Sequence, residues 1–178
     1  MKLSKHFVVL LVALVLWACE EKADLSHSEQ YSYKGVEFVL PGNWTVTEDS
    51  ESDGFRYIGI ETPGDAVTGI SILEKDVTIS LEEYVDLIIN NFNDELPVGS
   101  RNRGEVFELS QNANSNAAQG IRNQFSIKVA SIEVPHTADF FEMNSAMKLV
   151  FIFTQVADED RDMVAEGFVK VVDSFSLE

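Results

Sequence analysis

Three alternating carboxylates, Asp49, Glu51 and Asp53, are the residues best suited by type and spacing to bind a cation. Calcium loops place oxygen ligands at positions one, three and five, a glycine at position six and a glutamate at position twelve. Gly54 stands at the sixth position, but the twelfth is Ile60, and the segment joins two predicted strands. We therefore predict a solvated acidic hairpin, with weak calcium binding by the three carboxylates as the alternative.

Four other residues are of types that act in catalysis, but their spacing predicts no active site. Ser145 and Lys148 have the Ser-x-x-Lys spacing of penicillin-recognising enzymes, yet they open a strand pattern. A strand would separate them by roughly 10 Å. His27 and His136 have no metal-ligand spacing to another histidine or to a cysteine. The sequence predicts a protein that is not an enzyme, with no catalytic residue and no cofactor.

The single cysteine of the chain, Cys19, follows an apolar run that begins after Lys2 and Lys5. Residues 7–18 are too few to span a bilayer, which takes about 20 residues, and the pattern is typical of a secretory signal. Residues 14–19 (Leu-Val-Leu-Trp-Ala-Cys) resemble the lipobox of bacterial lipoproteins. The resemblance implies that residues 1–18 are removed and that Cys19 becomes a lipidated N-terminus. An ordinary signal peptide that leaves a free thiol is the alternative.

The residues after the cysteine predict a location and a domain layout. In Gram-negative lipoproteins, an aspartate directly after the lipidated cysteine tends to retain the protein in the inner membrane. Glu20 stands there instead, which favours the outer membrane facing the periplasm, with surface exposure left open. The polar residues 19–30 predict a lipidated, flexible tether, and residues 31–178 predict one folded domain.

The acidic balance of the chain restricts its partners. The sequence has 13 basic and 30 acidic side chains and a net charge of −17; loss of residues 1–18, which include Lys2 and Lys5, would leave −19. Nucleic acid binding depends on neutralising phosphates with lysine and arginine, so nucleic acid is excluded as a partner. Electrostatic docking on anionic lipid is disfavoured for the same reason. We predict that the chain is attached to the membrane through Cys19. We also predict that it binds a protein partner.

The order of periodic segments predicts an α+β fold. Short alternating segments joined by turn residues predict antiparallel strands. Ser80 and Glu83 form a capping box before a segment with helical periodicity, and a second helix is predicted to begin near Asp158. The expected architecture is a largely antiparallel sheet of about seven strands packed against two main helices. The predicted strands are 36–40, 44–47, 55–61, 67–74, 105–109, 121–134 and 146–156.

A predicted loop at residues 135–144 is the candidate partner-binding site. Phe140, Phe141 and Met143 lie there among polar residues, between two predicted strands. These side chains either tuck under a sheet edge or form an exposed apolar patch. Because exposed apolar patches mark partner sites, the second alternative predicts protein binding.

Short motifs at the two ends of the domain resemble a known family. Residues 35–38 (Gly-Val-Glu-Phe) and 40–44 (Leu-Pro-Gly-Asn-Trp) open the domain, and residues 173–175 (Asp-Ser-Phe) follow the last predicted helix. Over residues 31–178 the chain resembles the PsbP-like superfamily, including the DcrB-type bacterial lipoproteins. The resemblance implies an α/β/α sandwich and a non-catalytic role in binding or assembling other proteins. Pro41 and Trp44 are expected to form a turn and a core anchor.

Two other function classes stay open at this point. One is a lipoprotein that binds a small ligand or a divalent cation, for which the acidic hairpin is the only sequence signal. The other is a hydrolase whose catalytic residues are dispersed along the chain, an arrangement that sequence order does not reveal.

Overall fold

The computed structural model describes residues 22–64, 66–95, 100–110 and 117–178. The predicted signal segment 1–18 and the predicted lipidation site Cys19 lie outside the described residues. No helix in the described ranges is both long enough and apolar enough to cross a membrane.

The larger of two sheets has eight antiparallel strands. Their bounds are β3 Thr45–Ser52, β4 Phe55–Glu61, β5 Val67–Glu74, β6 Ser100–Arg101, β7 Glu105–Glu108, β8 Ala117–Val129, β9 Ile132–Met143 and β10 Lys148–Ala157. Their order across the sheet is β3-β4-β5-β10-β9-β8-β6, and β7 also pairs with β8. The predicted apolar strand β10 is central and buried on both faces, which explains its nearly continuous apolar sequence.

A smaller antiparallel sheet and two helices complete the fold. The sheet has the order β1-β2-β11, from β1 (Glu29–Tyr33), β2 (Val36–Leu40) and β11 (Ser176–Leu177). Helix α1 spans Leu81–Glu95 and α2 spans Arg161–Ser174. The predicted capping box of α1 is confirmed, because the Ser80 amide donates to Glu83 Oε2 at 2.8 Å and the Glu83 amide donates to Ser80 Oγ at 3.2 Å.

The larger sheet separates two hydrophobic cores. On one face, Leu81 and Tyr84 of α1 pack with Phe151 and Phe153 of β10. On the other face, α2 and the smaller sheet share a core with alternate residues of the same strand. The predicted α+β class, an antiparallel sheet packed against two helices, is confirmed. Six of the seven predicted strands lie in the larger sheet, which also contains β6 and β9. The predicted strand 36–40 is β2 of the smaller sheet, which also contains β1 and β11.

Residues 117–143 form one long hairpin rather than a strand followed by a loop. After a register shift between Ala117 and Gln119, β8 and β9 pair continuously up to Val129 and Ile132, which face each other across a two-residue turn. Ala130 in this turn has a φ of +56°, a conformation in which glycine or asparagine is usual. The sequence therefore carries no turn signal at this point. The predicted loop at 135–144 is wrong, because residues 135–143 belong to β9.

The N-terminal segment is bound to the domain well before residue 31. The Ala23 amide donates to the carbonyl of Met163 in α2 at 2.8 Å, and the Gly42 amide donates to the carbonyl of Asp24 at 2.8 Å. These two bonds attach the segment to α2 on one side and to the turn at residues 41–44 on the other.

Asn43 holds the same segment with its side chain. Its Oδ1 accepts from the Asp24 amide at 2.9 Å, and its Nδ2 donates to the Lys22 carbonyl at 3.0 Å. A Cβ at Gly42 would lie 2.5 Å from the carbonyl oxygen of His27, so the two backbones are in close contact. Residues 22–28 and 41–44 are called the N-terminal clamp below. Within the predicted flexible tether 19–30, residues 22–24 are hydrogen-bonded to the domain, residues 25–27 form an exposed turn, and residues 29–30 belong to β1.

Helix α2 packs directly on the clamp at Gly167, which has no side chain. A Cβ at Gly167 would overlap the ring of Trp44 and would lie 3.0 Å from Cβ of Ala23. Trp44 is buried, and Phe168 meets its ring edge-on with 5.5 Å between the centroids. The role of Trp44 as a core anchor, expected from the sequence, is what the structure shows. Gly167 is required here by its size.

We predict that Gly167→Ala lowers the free energy of unfolding by about 2 kcal/mol, because the added methyl group overpacks the contact with Trp44. In an exposed helix the same change would stabilise the protein by about 1 kcal/mol, so the sign distinguishes packing from helix propensity. Urea unfolding followed by tryptophan fluorescence measures the effect. Val169→Ala, an exposed change on the same helix, is the control. A variant as stable as the wild type contradicts the close contact.

Candidate functional site

A groove of about 270 Å³ lies between α2 and the face of the larger sheet. Strands β8, β9 and β10 form its floor, α2 forms one wall, and residues around the end of β7 and the start of β8 form the other. The lining residues are Leu109, Ser110, Ala117, Gln119, Gly120, Arg122, Thr137, Asp139, Phe141, Thr154, Val156, Arg161, Ala165, Phe168, Val169, Val172 and Asp173.

A polar row crosses the floor of the groove. Arg122 Nε and Nη2 donate to the two carboxylate oxygens of Asp139, each at 2.6 Å. Arg122 and Asp139 are cross-strand partners, and Asp139 also lies opposite Thr154 on β10. Sheet register therefore places the three side chains on one face, in one line. The hydrogen bonds to Asp139 raise the pKa of Arg122, so the guanidinium keeps its positive charge. The ion pair that it forms with the carboxylate has no net charge.

Apolar side chains surround this row. Phe141 and Val156 extend the floor, and Phe168 and Val172 form the wall on α2. Val169 is 57% exposed beside the opening. An apolar cleft with a few fixed polar groups is the usual composition of a binding site. The groove can therefore accept a segment that has both apolar and hydrogen-bonding groups.

Several polar side chains of the lining are held by partners within the fold. The described lining residues include no histidine, cysteine or lysine. The carboxylate of Asp139 is already bound by two N–H groups of Arg122. The hydroxyl of Thr137, which also lines the groove, donates to Asp158 Oδ1 at 2.7 Å.

The predicted cation ligand Asp49 instead forms a structural ion pair. Its two carboxylate oxygens accept from Arg56 Nε and Nη2, both at 2.8 Å, and Asp49 also accepts from the hydroxyl of Tyr31. Arg56 is buried and donates further to the carbonyls of Tyr33 and Lys34 at 3.2 and 3.3 Å. This network connects the smaller sheet to the β3–β4 hairpin. The hydrogen bond from Arg56 lowers the pKa of Asp49.

The other two predicted ligands are separated from Asp49 by their own contacts. Glu51 accepts from Lys34 Nζ at 2.8 Å, and Asp53 lies in the β3–β4 turn with a φ of +51°. Throughout the described ranges, no three His, Cys, Asp or Glu side chains are grouped closely enough to hold a metal ion. The three carboxylates belong to an acidic hairpin, and the structure does not bring them together.

Two of the three predicted partner-binding residues, Phe140 and Met143, are buried in the fold. Phe140 and Met143 are buried on opposite faces of β9, Phe140 in the core beneath α1 and Met143 in the core beneath α2. Phe141 is half-buried and lines the groove. A partner could reach Phe141 in this structure, but not Phe140 or Met143. Their burial follows from the correction of loop 135–144 to a strand.

The polar residues of the groove were missed at the sequence level. Arg122 and Asp139 belong to segments in which polar residues recur at every second position, at 122, 124, 126 and 128 and at 137 and 139. This period-two pattern predicts a polar stripe on one face of a hairpin. That the two stripes face each other follows only when the turn is placed at Ala130 and Ser131.

We predict that Asp49→Asn lowers the free energy of unfolding by about 3 kcal/mol at neutral pH, because it leaves the buried Arg56 charge without a carboxylate. Since the folded-state pKa of Asp49 is lowered, this contribution is present above the ordinary carboxyl pKa of about 4. It is lost as the pH falls through the folded-state pKa. Denaturant unfolding at several pH values measures both effects. Glu51→Gln, which removes the exposed pair with Lys34, is the control and should lower the free energy of unfolding far less; equal effects of the two substitutions would contradict the assignment.

Comparison with known proteins places the fold. No protein-family model and no curated protein match the chain. Among solved structures, cyanobacterial PsbP (CyanoP) from Synechocystis sp. PCC 6803 matches with 17% identity and a TM-score of 0.55, covering 85% of this chain and 92% of that chain.

Two more distant matches are also found. LpqN, involved in cell envelope biogenesis of Mycobacterium tuberculosis, has 11% identity, coverage of 85% and 91%, and a TM-score of 0.42. The Ran-binding protein Mog1p of Saccharomyces cerevisiae has 9% identity, coverage of 85% and 95%, and a TM-score of 0.47. The similarity to cyanobacterial PsbP, together with the eight-stranded antiparallel sheet and two helices, shows that this chain has a PsbP-like fold.

Proposed function

We propose that this chain is a non-catalytic, lipid-anchored protein of the bacterial cell envelope that binds another envelope or secreted protein in the groove beside α2. The groove is the observation that supports this role. It combines apolar walls with the neutralised Arg122–Asp139 pair and opens beside the exposed Val169. Pockets that receive an anchoring side chain of a partner dominate the energy of protein interfaces.

The charge of the chain indicates the kind of partner. Because the net charge would be −19 once residues 1–18 are removed, a basic or neutral protein approaches more readily than an acidic one. Inside the groove the charges of Arg122 and Asp139 cancel, so the contact itself requires apolar groups and hydrogen bonds. A partner segment with one or two apolar side chains and free backbone amides meets both requirements.

The anchor assignment rests on Cys19 and its flanking sequence. Lipid on Cys19 would hold the domain at a membrane, and Glu20 favours the outer membrane facing the periplasm. Attachment to the same membrane would raise the effective concentration of the domain near an envelope partner. This is the arrangement that the DcrB-type resemblance implies.

A small-ligand role is the second candidate, favoured by the size of the groove. Its volume of about 270 Å³ is close to the lower end of the range for small-molecule sites, about 300–1,000 Å³. If the groove holds a tightly bound small molecule, native mass spectrometry of the chain purified from cells will show a bound mass. Val169→Trp, which narrows the opening, will remove that mass, whereas Leu87→Trp on α1 will not. If the purified chain shows only its own mass, with no bound ligand, retention of such a ligand is contradicted.

For protein binding, we predict that a photo-crosslinking residue at position 169 captures a defined partner in living cells. The control position is Leu87 on α1, which lies on the other side of the larger sheet and is similarly exposed, at 49% against 57% for Val169. Adducts are identified by mass spectrometry. Cys19→Ala should reduce the adduct strongly, because the domain is then no longer held beside its partner.

The same experiment can reject the proposal. Adducts that are identical at positions 169 and 87 indicate non-specific contact. If the adduct at position 169 is unchanged by Cys19→Ala, lipid on Cys19 is not needed for partner binding, and that part of the proposal is contradicted. Absence of any adduct at 169 in the lipidated chain contradicts protein binding in the groove.

A further inference from the structure

We infer that the tip of the β8–β9 hairpin, residues 128–133, is a second contact with the lipid surface to which Cys19 attaches the chain. The inference rests on the proposed lipid anchor. It adds an interaction surface that is separate from the groove, and it fixes how the domain is oriented on the membrane.

The first step is the short distance between the anchor and the folded domain. The clamp fixes the Lys22 carbonyl and the Ala23 amide to Asn43 and α2. Cys19 precedes Lys22 by only three residues. Three residues span at most about 11 Å even when fully extended. A lipid on Cys19 therefore holds the clamp close to the headgroups rather than at the end of a long tether.

The second step is that the clamp and the hairpin tip lie at the same end of the larger sheet. β3 begins directly after the clamp at Thr45, which pairs with Glu61 at the end of β4. β10 ends at Ala157, and α2, which holds Ala23, begins four residues later. Ala157 pairs with His136 of β9, so the start of β9 also lies at this end.

The third step is that the hairpin extends beyond β10 at this end, while on its other side β6 pairs with β8 as far as Lys128. The pairing of β9 with β10 ends at His136, while β9 itself begins at Ile132. Four residues of strand therefore continue past the end of β10, a length of about 13 Å. At the tip, Val129 and Ile132 face each other across the hairpin and are 43% and 67% exposed.

The chemistry of the tip fits a lipid surface. Two exposed aliphatic side chains on one face supply apolar area, and Lys128 and Glu133, which also face each other, balance each other in charge. The net charge of −19 that the chain would have without residues 1–18 opposes electrostatic attraction to anionic lipid. The contact is therefore hydrophobic, and the fitting partner is a zwitterionic lipid surface.

The test uses the lipidated full chain in phosphatidylcholine vesicles. Lipid on Cys19, the single cysteine of the sequence, leaves an introduced cysteine as the only free thiol. Ile132→Cys is labelled with an environment-sensitive fluorophore, and Met147→Cys is the matched control. Met147 is 71% exposed and precedes β10, so it lies at the opposite end of the sheet. Vesicles whose acyl chains carry bromine quench a fluorophore that contacts them.

The expected result is that the fluorophore at position 132 is quenched and the fluorophore at position 147 is not. The quenching at position 132 should be unchanged in high salt and should not increase with anionic lipid. Val129→Cys should behave like Ile132→Cys. If the chain floats with the vesicles but position 132 is not quenched, the hairpin contact is overturned while the anchor stands. If the lipid-processed chain does not float with the vesicles at all, the proposed anchor fails and the hairpin contact fails with it. Quenching that disappears in high salt overturns the hydrophobic contact.

Discussion

The close contact between Trp44 and Gly167 is the constraint on which the rest of this structure depends. Residues 41–44 bring Trp44 under α2, and the helix fits there because residue 167 has no side chain. The same contact includes Ala23, whose amide binds the Met163 carbonyl. Three parts of the chain that are far apart in sequence are thus fixed at one point: the N-terminal segment, the start of the larger sheet and the last helix.

Both proposed surfaces follow from this contact. With α2 held at Gly167, Phe168 packs on Trp44 and Val169 remains exposed beside the groove. The position of α2 therefore defines one wall of the groove, while the register of β8, β9 and β10 defines its polar floor. The contact also holds Ala23 against the domain, which limits the distance from Cys19 to the fold. The proposed binding surface and the proposed orientation on the membrane therefore depend on the same contact.

The sequence predicts those features that depend on local signals. The capping box at Ser80, the turn before Trp44 and the apolar strand at β10 are each encoded within a few residues, and each is found in the structure. The features it misses depend on contacts between distant residues. The binding of residues 22–24 requires Asn43 and Met163, which no local pattern relates to them. Sequence patterns do not reveal the turn at Ala130, because an alanine there adopts a conformation that is usual for glycine or asparagine. Without that turn, the pairing of Arg122 with Asp139 cannot be predicted either.

The most direct test of this account is amide hydrogen exchange at the N-terminal clamp of the lipidated chain on vesicles. The amides of Ala23, Asp24 and Gly42 donate to the Met163 carbonyl, to Asn43 Oδ1 and to the Asp24 carbonyl. If the clamp holds the domain at the membrane, these three amides exchange far more slowly than an unstructured chain, and Gly167→Ala accelerates their exchange. Exchange at the unstructured rate would mean that the domain hangs on a free tether, which would contradict both the clamp and the orientation derived from it.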